Sequence, residues 1–386
     1  MNDYVELHCH SAFSFLDGAS LPEDLARRAA ELGMPALALT DHDGLYGAVR
    51  FSKACEREGI KPVIGAELTL ESGHHITLLA LDSCGYSHLS RIITEAQLSG
   101  SKGNAAVTWH TLAEYSAGLA CLSGCREGEV PRLLRGGLRD KAVDAVGRYA
   151  DVFGQDNFFI ELSNTLYPDD IWLCDALVEV ARECGVGYVA TNNVHYARKE
   201  DHRLHDVLTC IRTRTTLEEC PDLKLNGEFY LKSYREMVAL FSSYPEAVHT
   251  TVELAKRCSV SMEFSSYRFP DFPLPEGETA RSYLENLCRE RMAERYCEPT
   301  SGVVERMEQE LDLIHRLDLS GYFLIVWDIM EYARQHGIPA QGRGSAANSI
   351  IAYLLGITKV DPIKNRLFLG RFLNEDALLV WKEVGA

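Results

Sequence analysis

Residues 4–43 read YVELHCHSAFSFLDGASLPEDLARRAAELGMPALALTDHD. A β-prone run at 5–10 passes through polar turn residues into an amphipathic helical pattern at 21–32, then into an apolar run at 36–41. Ser20 is the expected N-cap of that helix, Asp24 lies in its first turn and Gly33 closes it. Further strands are expected at 62–70, 76–82, 119–123, 158–161 and 188–191, with helical stretches between them. About seven strand–helix units result, the α/β pattern that yields a parallel sheet or barrel. Polar residues gather at the strand ends: His8 and His10, Asp41 and His42, Glu67, Cys125, then Asn193 and His195. In α/β barrels that end is where chemistry is assembled.

The segment YRFPDFPLPEG at 267–277 carries three prolines and reads as a linker. Domains are accordingly expected at 1–270 and 271–386. Downstream the pattern is helical, at 280–296, 303–317 and 322–336, and a glycine-rich turn at 342–345 leads into another helix. If this second part is incomplete, apolar surface around 322–327 and 350–355 is expected to lie open and to promote self-association.

The chain has 386 residues, 46% hydrophobic and 25% charged, the profile of a globular protein of two to three domains. Its 39 Lys and Arg against 56 Asp and Glu give a net charge of −17, so contact with nucleic acid must be local. Twelve scattered cysteines fit a reducing compartment rather than a disulfide scaffold. No basic-then-apolar leader opens the chain and no apolar run reaches membrane-spanning length, so a cytoplasmic location without membrane contact is expected.

His8 and His10 lie two apart on a strand, which puts both imidazoles on one face with Leu7 and Cys9 on the other. With 13 histidines, random placement gives roughly 0.4 such pairs, so the pair is weak by itself. Its weight comes from Asp17, His42, Glu67 and His75 at neighbouring strand ends. Imidazoles with carboxylates suit Zn, Mn or Fe, and clustered ions suit phosphate-ester hydrolysis. Asp41 and Asp43 read as groups that orient the His42 imidazole. His202 and His205 read as surface or packing residues. Cys125 alone would read as a buried thiol.

The segments LHCHSAFSFLDGA, LALTDHDGLYGA, GIKPVIGAEL, HITLLA, LSGC and VATNNVHY resemble, in this order, the amino-terminal polymerase-and-histidinol-phosphatase (PHP) domain of bacterial DNA polymerase III alpha subunits. GYFLIVWDIMEYARQHGIPAQGRGSAANSIIAYLLGITKVDP resembles the start of the palm of those enzymes, with Gln341-Gly342 leaning toward the error-prone paralog. The resemblance runs from about residue 3 to 374. It implies a distorted (β/α)7 TIM-like barrel followed by a mainly helical, incomplete palm segment. It also implies a cluster of divalent ions on His8, His10, Asp17, His42, Glu67, His75, Cys125, Asn193 and His195, with His8, His10 and Glu67 in the catalytic role. Where the family commonly carries Asp, this chain has Asn193, a neutral oxygen ligand that removes one negative charge.

In such enzymes a complete cluster accompanies metal-dependent 3′–5′ exonuclease or pyrophosphate hydrolysis, whereas a degraded one leaves a scaffold that can hold a proofreading partner. A histidinol-phosphate-type phosphatase is disfavoured by the segment after Gly277. Gly342, Arg343, Gly344 and Ser345 have the makings of a phosphate site: close backbone approach, a guanidinium, and a helix start that Ser345 can cap. The resemblance assigns them to the triphosphate of a deoxynucleotide, with Mg as the ion of the complete polymerase and with DNA and a replisome or proofreading subunit as partners. In the family, catalytic aspartates follow Arg-Phe-Leu-Asn. Here Arg371-Phe372-Leu373-Asn374, preceded by Gly370 where the family has Glu, leads into EDALLVWKEVGA, so this chain is not expected to polymerise DNA.

Overall fold

The computed structural model describes residues 4–99, 105–262, 270–296 and 298–368; the expectations for Gly370 and 371–386 lie outside them. Its contacts divide the chain into two units, 1–262 and 263–386.

The first unit carries six strands: β1 (Ala36–Leu39), β2 (Lys61–Thr69), β3 (His75–Ala80), β4 (Leu119–Leu122), β5 (Phe158–Ser163) and β6 (Gly187–Thr191), adjacent in that order. Residues 5–10 join the two edges. Ala38 N–H and Thr40 N–H donate to the Glu6 and Cys9 carbonyls, at 2.9 and 2.8 Å. On the other side Val194 N–H donates to His8 O and His10 N–H to Val194 O, both at 2.8 Å. The sheet therefore closes on itself, with the amino-terminal segment as its last stave. This is the barrel expected from the alternating pattern.

Two features depart from that expectation. β3 runs antiparallel to both β2 and β4, whereas β1–β2, β4–β5 and β5–β6 are parallel. The connection from Thr69 to His75 is too short for a crossover, which needs a dozen or more residues, so the chain turns back as a hairpin. Leu7 and Cys9 do not share a face: Leu7 packs in the inner cluster with Val5, and Cys9 in the outer one. The Glu6 carboxylate accepts the His8 N–H at 2.9 Å, and the segment is kinked there rather than regularly pleated.

Alternate strand residues divide between two apolar clusters, as the two-residue period requires. A small inner one takes Val5, Leu7, Ala38, Val63, Leu79, Leu122, Phe159 and Val189, with Leu254, Ala255 and Cys258 beside them. A larger outer one takes Leu37, Ile64, Leu78, Cys121, Ile160 and Ala190 against the helices. Along the inward rows the chemistry changes at one end: Val63 gives way to Glu67, Leu79 to Thr77 and His75, Phe159 to Glu161, Val189 to Thr191. Because β3 is reversed, its first residue, His75, reaches the same rim as the last residues of its neighbours.

The helix after residues 5–10 spans Pro22–Glu31 and stops at Gly33, whose φ is 71°. Ser20 does not cap it. Its hydroxyl accepts from Ala197 N–H at 2.9 Å, and Pro22 opens the helix, a position where no amide hydrogen is needed.

The second unit is built from helices Ala280–Arg295, Ser301–Arg316, Ser320–Gln335 and Ile350–Leu354. It has its own core of Leu284, Leu287, Met307, Leu311, Ile314, Phe323, Leu324, Ile350, Ile351 and Leu354. The open apolar surface expected at 322–327 and 350–355 is therefore mostly absent. Ile350, Ile351, Ala352, Leu354 and Leu355 are buried and Tyr353 is half-buried, and only Tyr322 in the first segment is well exposed. Helix pairing within the unit covers these residues.

Candidate metal centre

Glu67 occupies the middle of the rim. Its Oε2 is 2.9 Å from His42 Nδ1 and 3.5 Å from His10 Nε2; its Oε1 is 3.2 Å from His75 Nδ1 and 3.5 Å from His8 Nε2. Cys125 Sγ lies 3.7 Å from Oε1. His8 Nε2 and His10 Nε2 are 3.1 Å apart, and Asn193 Oδ1 is 3.1 Å from His10 Nε2. Asp17 forms a second focus, with Oδ2 2.8 Å from His195 Nδ1 and 3.3 Å from His42 Nε2. All nine residues singled out from the sequence meet here. Asp17, His42, Glu67, His75, Cys125, Asn193 and His195 line a cavity of about 460 Å³, and His8 and His10 are fully buried against Glu67.

Two glycines permit this convergence. Gly124 has φ 82°, and a Cβ there would stand 2.2 Å from His75 O, so the turn that delivers Cys125 passes directly under His75. At Gly18 a Cβ would meet Ser11 O at 1.9 Å, which lets the 11–18 loop fold back and aim Asp17 inward.

Sequence reasoning missed two buried groups. Glu161 Oε1 accepts from His8 Nδ1 at 2.6 Å and from the Thr191 hydroxyl at 2.5 Å. A lone Glu inside the apolar strand FFIELS was its only signal. His205, read as surface or packing, is 1% exposed with Nε2 4.0 Å from Asp17 Oδ1. Asp41 and Asp43 do not touch the His42 ring. Asp41 accepts from Ser11 N–H and the Ser14 hydroxyl, and Asp43 from Thr69 N–H, so both carboxylates hold backbone loops in place.

Electrostatics follow from burial and crowding. Burial alone would disfavour imidazolium at His42, but the Glu67 and Asp17 carboxylates outweigh it and push the ring up to about 10. At His8, too, burial is outweighed, by Glu161 and Glu67, and the ring is raised. Burial and the neighbouring His42 and His195 rings hold His10 well below the ordinary range. Burial takes His195 down to about 3 despite Asp17. Glu67 is held well below the usual carboxylate range because His42 and His8 overcome its burial. Burial, with Glu67 close by, raises the Cys125 thiol.

The donor set fits divalent cations. Asp17 Oδ2, both His195 ring nitrogens, His205 Nε2 and Glu161 Oε2 are buried without a hydrogen-bond partner. Such atoms are costly to bury unless something else satisfies them. Three groups of donors lie within 4.8 Å of one another: His8, His10 and Glu67; His42, Glu67 and His75; Asp17, His195 and His205. Imidazole with carboxylate suits Zn, Mn or Fe.

The glycine-rich turn belongs to the second unit. Arg343, Gly344 and Ser345 are exposed, and residues Gly344–Asn348 form a 3₁₀ turn. Ser349, not Ser345, caps the following helix, accepting from Ala352 N–H at 3.0 Å. The helix start is not free for an anion. Buried Glu310 accepts there from the Ser349 hydroxyl at 2.7 Å and from Ile350 and Ile351 N–H at 3.0 and 3.3 Å.

Residues 6–165 match the PHP domain family, and residues 282–378 match the bacterial DNA polymerase III alpha NTPase domain. The closed sheet with its rim of histidines and carboxylates is thus a PHP domain. Over 96% of its length the chain is 42% identical to the error-prone DNA polymerase of Symbiobacterium thermophilum, covering 36% of that protein. Over 97% of its length it is 39% identical to the DNA polymerase III subunit alpha of Treponema pallidum, covering 34% of that one. The chain is a homologue of these bacterial polymerases and spans about a third of the length of the curated relatives it matches. Among solved structures, a Bifidobacterium adolescentis protein described as a candidate metal-dependent phosphoesterase matches 61% of this chain and 95% of its own. That match is at 17% identity and a TM-score of 0.38. Among the described residues no helix is long and apolar enough to cross a membrane.

Proposed function

We propose that the cavity of the first unit hydrolyses phosphodiester bonds at a DNA 3′ end or the phosphoanhydride bond of pyrophosphate. The observation that carries this reading is Glu67 set among four imidazoles, with Asp17 on the opposite nitrogen of one of them, His42. His8, His10, Asp17, His42, Glu67, His75, Cys125, Asn193 and His195 would hold the divalent ions. A bound Zn, Mn or Fe supplies hydroxide near neutral pH and offsets charge on the leaving oxygen.

The chain's own residues supply binding. Arg126, Arg212 and Lys224 line the same cavity as Asp17, Asp43, Glu67 and Glu127 and offer a substrate phosphate local cationic partners in a molecule of net charge −17. Arg126 is tied to Asp169 and Asp170 and lies over the Tyr167 ring, so its guanidinium is held in place. Lys224 Nζ sits 4.5 Å over the Phe229 ring. His8, His10 and Glu67, whose donor atoms lie within 4.8 Å of one another, would form the catalytic set by holding the ion that acts on the phosphate.

The role in the whole polymerase is part of the same proposal: replicative or error-prone synthesis on DNA, with Mg, deoxynucleotide triphosphates and a replisome or proofreading partner. In the second unit Arg343 and the exposed turn at 344–345 would meet the nucleotide phosphates. Glu310 already fills the helix start, so binding there rests on the guanidinium and the turn backbone.

The test is release of label from 3′-labelled single-stranded DNA, with inorganic pyrophosphate in parallel, after loading with Zn or Mn. Cleavage that disappears with His8→Ala/His10→Ala supports the reading. A metal-loaded protein inert toward both substrates contradicts it.

A further inference from the structure

We propose that His205 is a metal ligand, joining Asp17 and His195 around one ion. This rests on the reading that the cavity holds ions, and it adds a donor that the sequence pattern did not include.

The ring arrives from an independent element, the helix His202–Thr213, and is 1% exposed. Its Nε2 is buried without a hydrogen-bond partner and lies 4.0 Å from Asp17 Oδ1. Two further orphans share the spot. Asp17 Oδ2 and His195 Nδ1 face each other at 2.8 Å, each buried without a hydrogen-bond partner. Donor atoms, one each from Asp17, His195 and His205, lie within 4.8 Å of one another, so small side-chain shifts bring all three onto one ion with bonds of ~2.1 Å. The other His205 nitrogen, Nδ1, faces the Asp206 carboxylate at 3.9 Å, as the outer nitrogen of a metal-bound imidazole commonly does.

A packing histidine would account for less. His205 meets the His195 and Tyr196 rings at 5.3 and 5.7 Å between centroids, contacts that any flat ring could make. They do not explain a buried nitrogen aimed at a carboxylate and left unpaired. Arg212, seven residues on along the same helix, donates to Asp17 Oδ1 at 3.1 Å. It neutralises Asp17 in the metal-free chain and would yield as the ion enters.

The experiment is zinc stoichiometry and affinity, by chelator competition and elemental analysis, on the full chain, with His205→Ala, His205→Gln and, as control, His202→Ala, a half-buried ring on the same helix whose Nδ1 pairs with Lys199 O. The expected result is loss of one ion per chain, or at least tenfold weaker binding of one ion, in both His205 variants and not in His202→Ala. Thermal melting verifies the fold of each variant. Cobalt-loaded wild-type crystals give a readout that needs no variant: an anomalous peak within bonding distance of His205 Nε2, shared with Asp17 and His195. Cobalt peaks only at the Glu67 groups, or unchanged zinc binding in both variants, would overturn the assignment while leaving the ion-holding reading intact. A wild-type chain that binds no ion would overturn both.

Discussion

His8 Nδ1 and Glu161 Oε1 face each other at 2.6 Å with neither side chain exposed, and this pairing turns His8 Nε2 toward Glu67 and His10. A carboxylate behind a ligating imidazole fixes the ring's orientation and raises its basicity. Glu161→Gln keeps the shape and replaces that carboxylate with an amide. Metal affinity, read by chelator competition, is expected to fall about 10- to 100-fold. Affinity equal to wild type would mean that His8 is oriented by packing alone.

In the metal-free chain His42 is pushed up from 6.5 to about 10. A raised pKa gives stability that is full below the unfolded value and is lost as pH rises through the folded one. Chelated protein should therefore lose melting temperature between about pH 7 and 10. Ion binding has the opposite slope because the imidazole must shed its proton, about tenfold in affinity per pH unit for one displaced proton. Melting and competition curves that run in the same direction would remove His42 from the ion-binding set.

Gly124→Ala places a Cβ against His75 O in a left-handed backbone position. The expected cost is about 2 kcal/mol or more, together with loss of the ion held by His42, Glu67 and His75. Denaturant titration and bound-metal analysis check the two parts separately.

Glu310 is buried at the start of helix Ile350–Leu354 and is also paired to Arg306 at 2.9 Å. Glu310→Ala strands two backbone N–H groups, a hydroxyl and a guanidinium, and should destabilise the second unit by about 3–5 kcal/mol. Glu310→Gln, which keeps an acceptor, should cost less. Equal urea midpoints for wild type and Glu310→Ala would contradict the role given to this carboxylate.

Much of this was legible in the sequence because strands and ligands obey local rules. The apolar runs at 36–41, 62–70, 76–82 and 188–191 fall on β1, β2, β3 and β6. Polar residues at strand ends pointed to one shared rim, whereas the full set of nine donors came only from the family resemblance. What was not legible depends on what lies opposite a residue in space. His205 sits on an amphipathic helix, and periodicity says that a face is buried without saying that Asp17 is across from it. Ser20 and Ser345 both looked like caps; one hydroxyl is taken by Ala197 and the other lies in a 3₁₀ turn ahead of Ser349. The reversal of β3 was written in the short link at 70–74, which leaves no room for a crossover.

The most direct test of the central claim is the rate of 3′-labelled single-stranded DNA hydrolysis as a function of ions bound per chain, with His8→Ala/His10→Ala as control. A rate that climbs with occupancy, releases mononucleotides from the 3′ end and vanishes in the control is the predicted result. Full ion occupancy without hydrolysis, or hydrolysis that survives in the control, would contradict it.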